Sequence, residues 1–345
     1  MESRARAGRF LLNNYISDSF RKVTRTIKGQ LPIAIYYEHP DWFRPLFAEL
    51  DARGINYVKL NAACHSFDPA AAGPDFSLLF NRMSASAYLR GNGGAIFFTQ
   101  SYLTYLETVD VRVINGTRAF AVEISKARQL QLFNSLGLRF PKTHVVNCAN
   151  EILAAALQIG FPLLVKPNIG GRGGGIVRVD SVEQLETAID KASLNFGIDQ
   201  TALVQEFIPA RDGHITRVET LGGKFLYAID IFTSGRSFNL CPAEICQAES
   251  VSAFVEDSRG GAPNPGLKVQ ACKPPPGTID EVEKIAAFGG IDVGGVEYMV
   301  DDRDGRIVYY DINALSNFVA NAPQILGFDP HVRLVDYLEK EKEGG

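Results

Sequence analysis

A glycine-rich loop between two apolar runs constrains the fold of this 345-residue chain most strongly. Five of the six residues from Gly170 to Gly175 are glycine, with Arg172 as the exception, and the loop follows PLLVKP and precedes IVRVD. Both flanking runs are short and apolar, which predicts strands. The loop lacks the Gly-Lys-Ser/Thr ending of a P-loop, and no helix follows it as a dinucleotide-binding fingerprint requires. Both of these familiar nucleotide folds are therefore disfavoured.

The loop and the lysine before it together favour a phosphate site. Glycine backbone lets amide groups approach phosphate oxygens closely, and such a loop can close as a flap. A flexible hairpin tip is the alternative for an isolated glycine loop. Lys166 ends the apolar run PLLVKP, where a cation needs an anionic partner, and it favours the phosphate interpretation.

Composition limits the classes of partner. The chain is 46% hydrophobic and carries 35 basic against 39 acidic residues, a net charge of −4, so no domain-wide basic field favours nucleic acid. No apolar run approaches the ~20 residues that span a bilayer, and no membrane partner is expected. The five cysteines have no zinc-ligand spacing, which predicts reduced thiols and a cytoplasmic location. The basic residues 1–30 are interpreted as a solvated or docking arm, with a targeting peptide as the alternative.

The order of apolar and helical runs predicts an α/β protein. From residue 31 to 115, short apolar runs such as LPIAIYY, INYVKL and GAIFF alternate with helical ones, which favours a parallel sheet with helical crossovers. The run AFAVEISKARQLQLFNSLGL predicts one helix, and KTHVV, ALVQEFI and GGKFLYAIDIF predict further strands. Residues 258–277 are rich in proline and glycine and are interpreted as a functional lid.

Acidic and amide side chains near the end of the chain predict a metal site. Asp311 and Asn313 are two apart in the strand RIVYYDIN and so project from one face. If the DDRDG turn is a three-residue loop with Gly305 in the left-handed conformation, Glu297 lies opposite Asp311. Such hard oxygen donors suit Mg²⁺ held jointly with phosphates. An exposed polar hairpin is the alternative.

The lysine after a strand, the glycine flap, ALVQEFI and the late carboxylate–amide pair together resemble the ATP-grasp superfamily. The resemblance covers about residues 111–336 and is strongest to RimK-like and glutathione-synthetase-like ligases. It implies an ATP-grasp fold, α/β (α+β), preceded by a Rossmann-like pre-ATP-grasp domain at 31–115. The ATP-grasp domain would occupy 116–340, with a nucleotide-binding subdomain at 116–208 and a metal-binding catalytic subdomain at 209–340.

The resemblance also implies a nucleotide site, a metal site and two catalytic residues. The nucleotide would be bound by Lys126, Lys166, Gly170, Gly171, Arg172, Gly173, Gly174, Gly175, Gln205, Glu206, Phe207 and Ile208, with Asp212 or His214 at the ribose. The metal would be bound by Glu297, Asp311 and Asn313, and Lys166 and Arg217 would be catalytic. The sequence departs from the family at Ser125, where Asp is usual, at Asp311, where Glu is common, and in DINALSNF, which lacks a Pro-Gly.

The function implied is that of an ATP-dependent carboxylate–amine ligase. ATP and Mg²⁺, with Mn²⁺ as a substitute, would support formation of an acyl phosphate, and an amine would then displace phosphate. A phosphotransferase that stops at the first step, and a nucleotide-binding protein without turnover, are the alternatives. The donor would be a small-molecule or peptide carboxylate; the sequence names neither substrate, and it leaves homo-oligomerisation open.

Four further residues are weaker candidates for substrate contacts. Arg82 ends a strand that faces the expected cleft and could bind a carboxylate, but a surface arginine is the favoured interpretation. Arg236, Cys241 and Cys246 could line the acceptor site, although inert buried thiols are favoured for the cysteines.

Overall fold

The computed structural model describes residues 31–39, 41–171, 173–232 and 268–344. The predictions for residues 1–30, Arg172, Arg236, Cys241, Cys246 and residues 258–267 of the expected lid concern residues outside these ranges. The described remainder of that lid, residues 268–277, is not all loop, because Val269–Ala271 is a strand. The described chain forms three β-sheets with helices packed around them. Within these ranges, no helix is long and apolar enough to cross a membrane.

The first sheet is parallel, as the alternation of runs predicts. Its strands are β1 (Ile33–Tyr37), β2 (Tyr57–Asn61), β3 (Leu78–Arg82) and β4 (Arg112–Ile114), and its helices are α1 (Arg44–Ala52), a 3₁₀ helix (Ala85–Arg90) and α2 (Gly93–Thr108). The strand order is β2-β1-β3-β4. Because β2 and β3 pair with opposite edges of β1, the order in which the chain adds strands reverses between β1 and β3. The run GAIFF is not a strand but begins α2, whose buried residues Ile96, Thr99, Tyr102 and Leu106 recur every three or four positions, the helical period.

The second sheet is antiparallel and holds the glycine loop. It consists of β5 (Thr143–Val146), β6 (Leu163–Pro167), β7 (Val177–Val179) and β8 (Ala202–Glu206) in the order β5-β8-β6-β7, with α5 (Asn150–Ile159) and α6 (Val182–Asp190) beside it. The glycine loop connects the neighbouring antiparallel strands β6 and β7. The prediction that it joins two strands is confirmed.

The third sheet is also antiparallel and carries the carboxylates of interest. Its strands are β9 (His214–Leu221), β10 (Lys224–Phe232), β11 (Val269–Ala271), β12 (Val293–Val300) and β13 (Ile307–Asn313), in the order β11-β10-β9-β12-β13. The remaining helices are α3 (Thr117–Glu123), α4 (Lys126–Ser135), α7 (Thr278–Gly289), α8 (Ala322–Leu326) and α9 (Pro330–Gly344). One face of the sheet packs on α7, and the other shares a core with the first sheet and α9.

The single helix predicted from AFAVEISKARQLQLFNSLGL is in fact two helices, α3 and α4. Ser125 adopts an extended conformation between them, and its hydroxyl accepts a hydrogen bond from the Arg128 N–H at 3.3 Å, so Ser125 is the N-cap of α4. The Ser125 hydroxyl also lies 3.1 Å from Asn168 Oδ1, which follows β6. Lys126 is therefore the first residue of a helix that is anchored beside the end of β6.

Asn115 connects the first sheet to the third. Its side-chain amide donates to Val293 O at 2.7 Å and to Ala314 O, and its Oδ1 accepts from the N–H groups of Asp292 (2.9 Å) and Val293 (3.1 Å). Asn115 is buried and has a φ of 53°, which an Asn tolerates better than most residues. The domain division proposed at 115/116 lies between sheets, but it does not separate their cores.

Asn115→Ala should destabilise the protein by about 2–4 kcal/mol, because it leaves buried backbone groups of Asp292, Val293 and Ala314 without partners. Urea unfolding measures this change in the free energy of unfolding. Asn134→Ala, at an exposed position of α4, is the control and should stay within about 0.5 kcal/mol. Equal urea midpoints for the two variants would contradict the role assigned to Asn115.

Candidate functional site

A cavity of about 340 Å³ lies where the three sheets meet, and it brings together most of the predicted site residues. Its lining includes Lys126, Lys166, Gly170, Gly171, Gly173, Gly174, Gln205, Glu206, Phe207, Ile208, Arg217, Glu297, Asp311 and Asn313. These residues come from α4, from β6 and the glycine loop after it, from β8 and the two residues after it, and from β9, β12 and β13. Residues far apart in sequence thus converge on one space.

The pairing of Glu297 with Asp311 is confirmed, although the turn proposed for it is wrong. Asp301 and Arg306 are still hydrogen bonded, so the loop runs from Asp302 to Gly305 and is one residue longer than predicted; Gly305 has the expected positive φ of 75°. The longer loop alone would displace the register by one residue. A bulge at Tyr310 restores it, because the register shifts between Glu297 and Tyr298.

Glu297, Asp311 and Asn313 form one cluster of oxygen-bearing side chains. Asn313 Nδ2 donates to Glu297 Oε1 at 3.2 Å and to Asp311 Oδ2 at 3.3 Å, and the Tyr310 hydroxyl donates to Glu297 Oε2 at 2.6 Å. The Ile312 side chain packs in the core, as its parity predicts, although Ile312 also borders the cavity.

This donor set fits a hard divalent cation that is shared with another ligand. Two carboxylates and an amide are the oxygen donors that Mg²⁺ prefers. Among the described residues, no three His, Cys, Asp or Glu side chains form a metal-binding group of their own. A cation here would need further oxygens from another source, and Mg²⁺ commonly takes them from phosphates and water.

Arg217 lies beside this cluster in a buried ion network. It is the β9 neighbour of Glu297, and its guanidinium donates to Glu219 Oε1 at 2.6 Å, to Glu297 Oε1 at 3.1 Å and to Ser316 Oγ at 3.3 Å. Burial acts to lower the pKa of Arg217, but the two carboxylates outweigh it and the pKa is raised. Gly295 leaves room for this network, since a Cβ there would lie 2.7 Å from Arg217 Nε.

The two predicted lysines differ in their partners. Lys126 forms an ion pair with Asp311; burial acts to lower its pKa, but Asp311 reverses the effect and the pKa is raised. Lys166 is 4% exposed, and within the described ranges no hydrogen bond or ion pair reaches its ammonium group. Burial, with a smaller contribution from Lys126, lowers the pKa of Lys166 to about 7. Lys166 is thus a buried cation that an anion would stabilise.

The residues predicted to line adenine border an apolar end of the cavity. Gln205 is buried and donates to Thr143 Oγ1 at 2.9 Å, while Glu206 pairs with Arg303 at 2.7 Å. The Phe207 ring lies 4.1 Å from the guanidinium carbon of Arg178, a cavity residue that sequence reasoning missed. Leu164, Ile176, Ile208 and Met299 are further apolar residues that line the cavity. A planar aromatic ligand suits such an environment.

The glycine flap lies against the first sheet. A Cβ at Gly171 would lie 3.0 Å from Ser86 Cβ, so a side chain there would crowd the 3₁₀ helix and force a small shift. Gly173 has a φ of 71°, and Gly175 has a φ of 75° but does not line the cavity. Four of the predicted glycines, Gly170, Gly171, Gly173 and Gly174, line the cavity.

Three predictions are corrected or left without support. Arg82 is not a surface residue; it is 3% exposed, because the segment after β13 covers it. Asp212 is exposed in the turn before β9 and does not line the cavity, and His214 lies 3.8 Å from Asp230 instead. Neither ribose candidate therefore reaches the cavity in this structure.

Sequence reasoning missed several residues that line the cavity. They are Trp42, Ser84, Ala85, Ser86, Glu123, Gln129, Tyr310, Asn317 and Phe318. Trp42 and Ser84 follow β1 and β3, and the carboxyl ends of parallel strands at a change of direction are a common place for ligands. That rule, applied to the predicted parallel sheet, could have found them.

Comparison with known proteins points to one superfamily. The family model described as "D-ala D-ala ligase C-terminus" matches residues 132–239. A probable alpha-L-glutamate ligase of Rhodopirellula baltica is 26% identical over 72% of this chain and 63% of its own length. D-alanine–D-alanine ligase B of Pseudomonas syringae pv. tomato is 34% identical over 42% of this chain and 43% of its own. The chain thus spans less than two thirds of each of these relatives.

A solved structure shows the same architecture. The crystal structure of a RimK domain protein ATP-grasp from Sphaerobacter thermophilus superposes with a TM-score of 0.59 at 19% identity, covering 88% of this chain and 98% of that one. Similarity at this level of identity establishes the fold. The chain has the ATP-grasp fold, and the superfamily predicted from its motifs is confirmed.

The low pKa of Lys166 predicts a pH dependence of stability. Between about pH 7 and about pH 10.4 the unfolded chain keeps a proton on this lysine that the folded protein releases. The free energy of unfolding should therefore rise with pH in this window. Denaturant unfolding at several pH values measures the slope.

Lys166→Met should reduce this slope, whereas Lys191→Met, at an exposed position, should leave it unchanged. At neutral pH without nucleotide, Lys166→Met should also be at least as stable as the wild type, because it removes a buried charge that has no partner. An unchanged slope in Lys166→Met would mean that burial does not lower the pKa of Lys166 in the folded protein.

Proposed function

We propose that this chain, which has the ATP-grasp fold, is an ATP-dependent ligase that joins a carboxylate to an amine. The observation that carries the proposal is the convergence on one cavity of two lysines, a buried arginine and the Glu297–Asp311–Asn313 cluster. Transfer of a phosphoryl group is catalysed chiefly by positioning and by neutralising negative charge. The cavity offers both.

The proposed nucleotide position follows from the chemistry of the lining. The base would lie against the apolar end bordered by Phe207 and Ile208, and the phosphates would lie toward Lys126 and Lys166. The flap residues, including Gly171, would cover the phosphates with backbone N–H groups. Lys166 would then gain the anionic partner that burial makes favourable.

The proposed metal site is the cluster at the end of β13. Glu297, Asp311 and Asn313 would hold Mg²⁺, or Mn²⁺ in its place, jointly with phosphate oxygens, and the ion when bound supplies positive charge that offsets those phosphates. The Tyr310 hydroxyl and Arg217 both hydrogen bond to Glu297 and fix its carboxylate in position.

The proposed reaction has two steps. A carboxylate oxygen of the donor attacks the γ-phosphorus of ATP, the bond to ADP breaks, and an acyl phosphate forms. An amine nitrogen then attacks the acyl carbon, phosphate leaves with the electrons of the carbon–oxygen bond, and the nitrogen loses a proton to give an amide. Arg217 would stabilise negative charge at the acyl group, and the flap would keep water away from the intermediate.

The relatives support a ligase but leave the substrates open. The two relatives are named as ligases of glutamate and of D-alanine, so they support small-molecule or peptide carboxylates as donors and amines as acceptors. Because substrate specificity depends on individual residues of a site and not on the fold, we propose only these chemical classes.

Hydroxylamine separates the ligase from the alternatives, because this small nucleophile can replace an unknown acceptor. With a competent donor, the proposal predicts ATP-dependent formation of a hydroxamate together with ADP and phosphate. A stable phosphorylated product without hydroxamate would identify a phosphotransferase. If the protein binds ATP but releases no ADP with any donor tested, it is a nucleotide-binding protein without turnover, and the proposal is contradicted.

Asp311→Asn should lower turnover roughly 100-fold or more, since it keeps size but removes a charge that must offset the metal. It should also weaken the Mg²⁺ dependence of ATP-induced thermal stabilisation, a measurement that needs no substrate. Glu297→Gln and Asn313→Ala should act in the same direction.

Val308→Ala is the matched control on the same strand. Val308 is fully buried and does not line the cavity, so its truncation should cost about 1–3 kcal/mol of stability while leaving the Mg²⁺ dependence unchanged. Wild-type Mg²⁺ dependence in Asp311→Asn would refute the assignment of the metal site.

A further inference from the structure

Arg82 is a buried arginine without a carboxylate partner among the described residues. It ends β3 and is 3% exposed. Its Nη2 donates to Ser316 O and, at 3.1 Å, to Asn317 Oδ1, whereas Nε and Nη1 are buried and have no hydrogen-bond partner in the described chain. The rings of Phe43 and Phe80 lie 5.2 and 4.9 Å from its guanidinium carbon.

A guanidinium in this position is costly unless an anion reaches it. Burial lowers the pKa of Arg82 to about 9, and only the more distant charges of Glu123 and Glu219 oppose this shift. Buried N–H groups without partners each carry a desolvation penalty, and a buried charge carries a larger one. Lys166 is in the same condition, so the molecule holds two buried cations whose charge the surrounding described residues do not pair.

The location of Arg82 is one at which α/β proteins commonly bind ligands. β1 lies between β2 and β3, so the crevice at the carboxyl ends of β1 and β3 marks the change of direction in the sheet. Arg82 is the last residue of β3, and Trp42 follows β1. Trp42 lines the cavity, and its indole N–H is buried without a partner in the described chain.

Arg82 does not itself line the cavity, but its hydrogen-bond partners connect it to the cavity and to the proposed reaction centre. Asn317, which accepts a hydrogen bond from Arg82, lines the cavity. Ser316 connects the two arginines, because its carbonyl accepts from Arg82 and its hydroxyl accepts from Arg217. A single small substrate could therefore reach from Arg217 to the region of Arg82.

We infer that Arg82, with the Trp42 indole N–H and Asn317, forms a subsite for a carboxylate of the substrate other than the one that reacts. The free groups of Arg82 and Trp42 are all hydrogen-bond donors, which an anionic oxygen acceptor complements. The substrate class is thus one that retains a free carboxylate, on either the donor or the acceptor. This inference rests on the proposed ligase function for the role of the subsite, but binding to the subsite can be measured without turnover.

Thermal shift of the full chain with ADP and Mg²⁺ tests the inference. The probes are glycine, both enantiomers of alanine and glutamate, and the corresponding α-carboxamides. At least one acid should stabilise the wild type, and its amide should bind about tenfold to a hundredfold more weakly, the size expected for lost hydrogen bonds to a charged group. Equal stabilisation by acid and amide, or no stabilisation by any acid, would overturn the inference.

Arg82→Met should abolish the preference for acid over amide while keeping the shift caused by ADP and Mg²⁺. This variant should melt at or above the wild-type temperature, since it replaces a buried unpaired charge by an apolar chain of similar length. Arg44→Met, an exposed arginine of α1, is the control and should keep the preference. Should Arg82→Met fail to fold, the comparison of acid and amide in the wild type decides alone.

The outcomes separate this inference from the proposed function and identify the source of the carboxylate. If ADP and Mg²⁺ do not raise the melting temperature, or if ATP gives no ADP, the result counts against the ligase and not against the subsite. If glutamate is the preferred acid and forms a hydroxamate at its γ-carboxylate, the bound α-carboxylate belongs to the donor. A hydroxamate of glycine or alanine, whose single carboxylate would then be the one that reacts, would contradict the inference. If the preferred acid accelerates ADP release only with another donor present, the carboxylate belongs to the acceptor. Retention of the acid preference in Arg82→Met would contradict the assignment.

Discussion

The buried ion network of Arg217, Glu219 and Glu297 is the interaction on which the site depends. A buried guanidinium between two carboxylates is stable only where strand register holds the groups in place, and here neighbouring strands β9 and β12 do so. The same register leaves Gly295 under the arginine, where a Cβ would clash. The network thereby positions Glu297 beside Asp311 and Asn313.

Two other buried cations have the opposite character. Lys166 and Arg82 are buried without carboxylate partners among the described residues, and burial lowers the pKa of both groups. A folded protein that retains such charges gives up stability that hydrophobic side chains would provide. Under the proposed function, anionic ligands would offset that cost, with phosphates at Lys166 and a carboxylate at Arg82.

Local patterns predicted which residues converge on the cavity better than they predicted the geometry that brings them together. The two-residue spacing of Asp311 and Asn313 and the position of Lys166 at a strand end depend only on strand periodicity, and both predicted a position in the cavity. The pairing of Glu297 was right although its turn was wrong, because a bulge at Tyr310 is not visible in strand periodicity. The burial of Arg82 depends on a segment more than 200 residues away, which no local pattern contains.

The most direct test of the central claim is a crystal structure with ADP and Mn²⁺, in which anomalous scattering locates the metal independently of the protein map. The claim predicts one metal peak bonded to oxygens of Asp311, Glu297 and Asn313 and to an ADP phosphate, with Lys166 contacting the phosphates. A metal peak away from these side chains, or a nucleotide bound outside the cavity that Lys126 and Lys166 line, would contradict it.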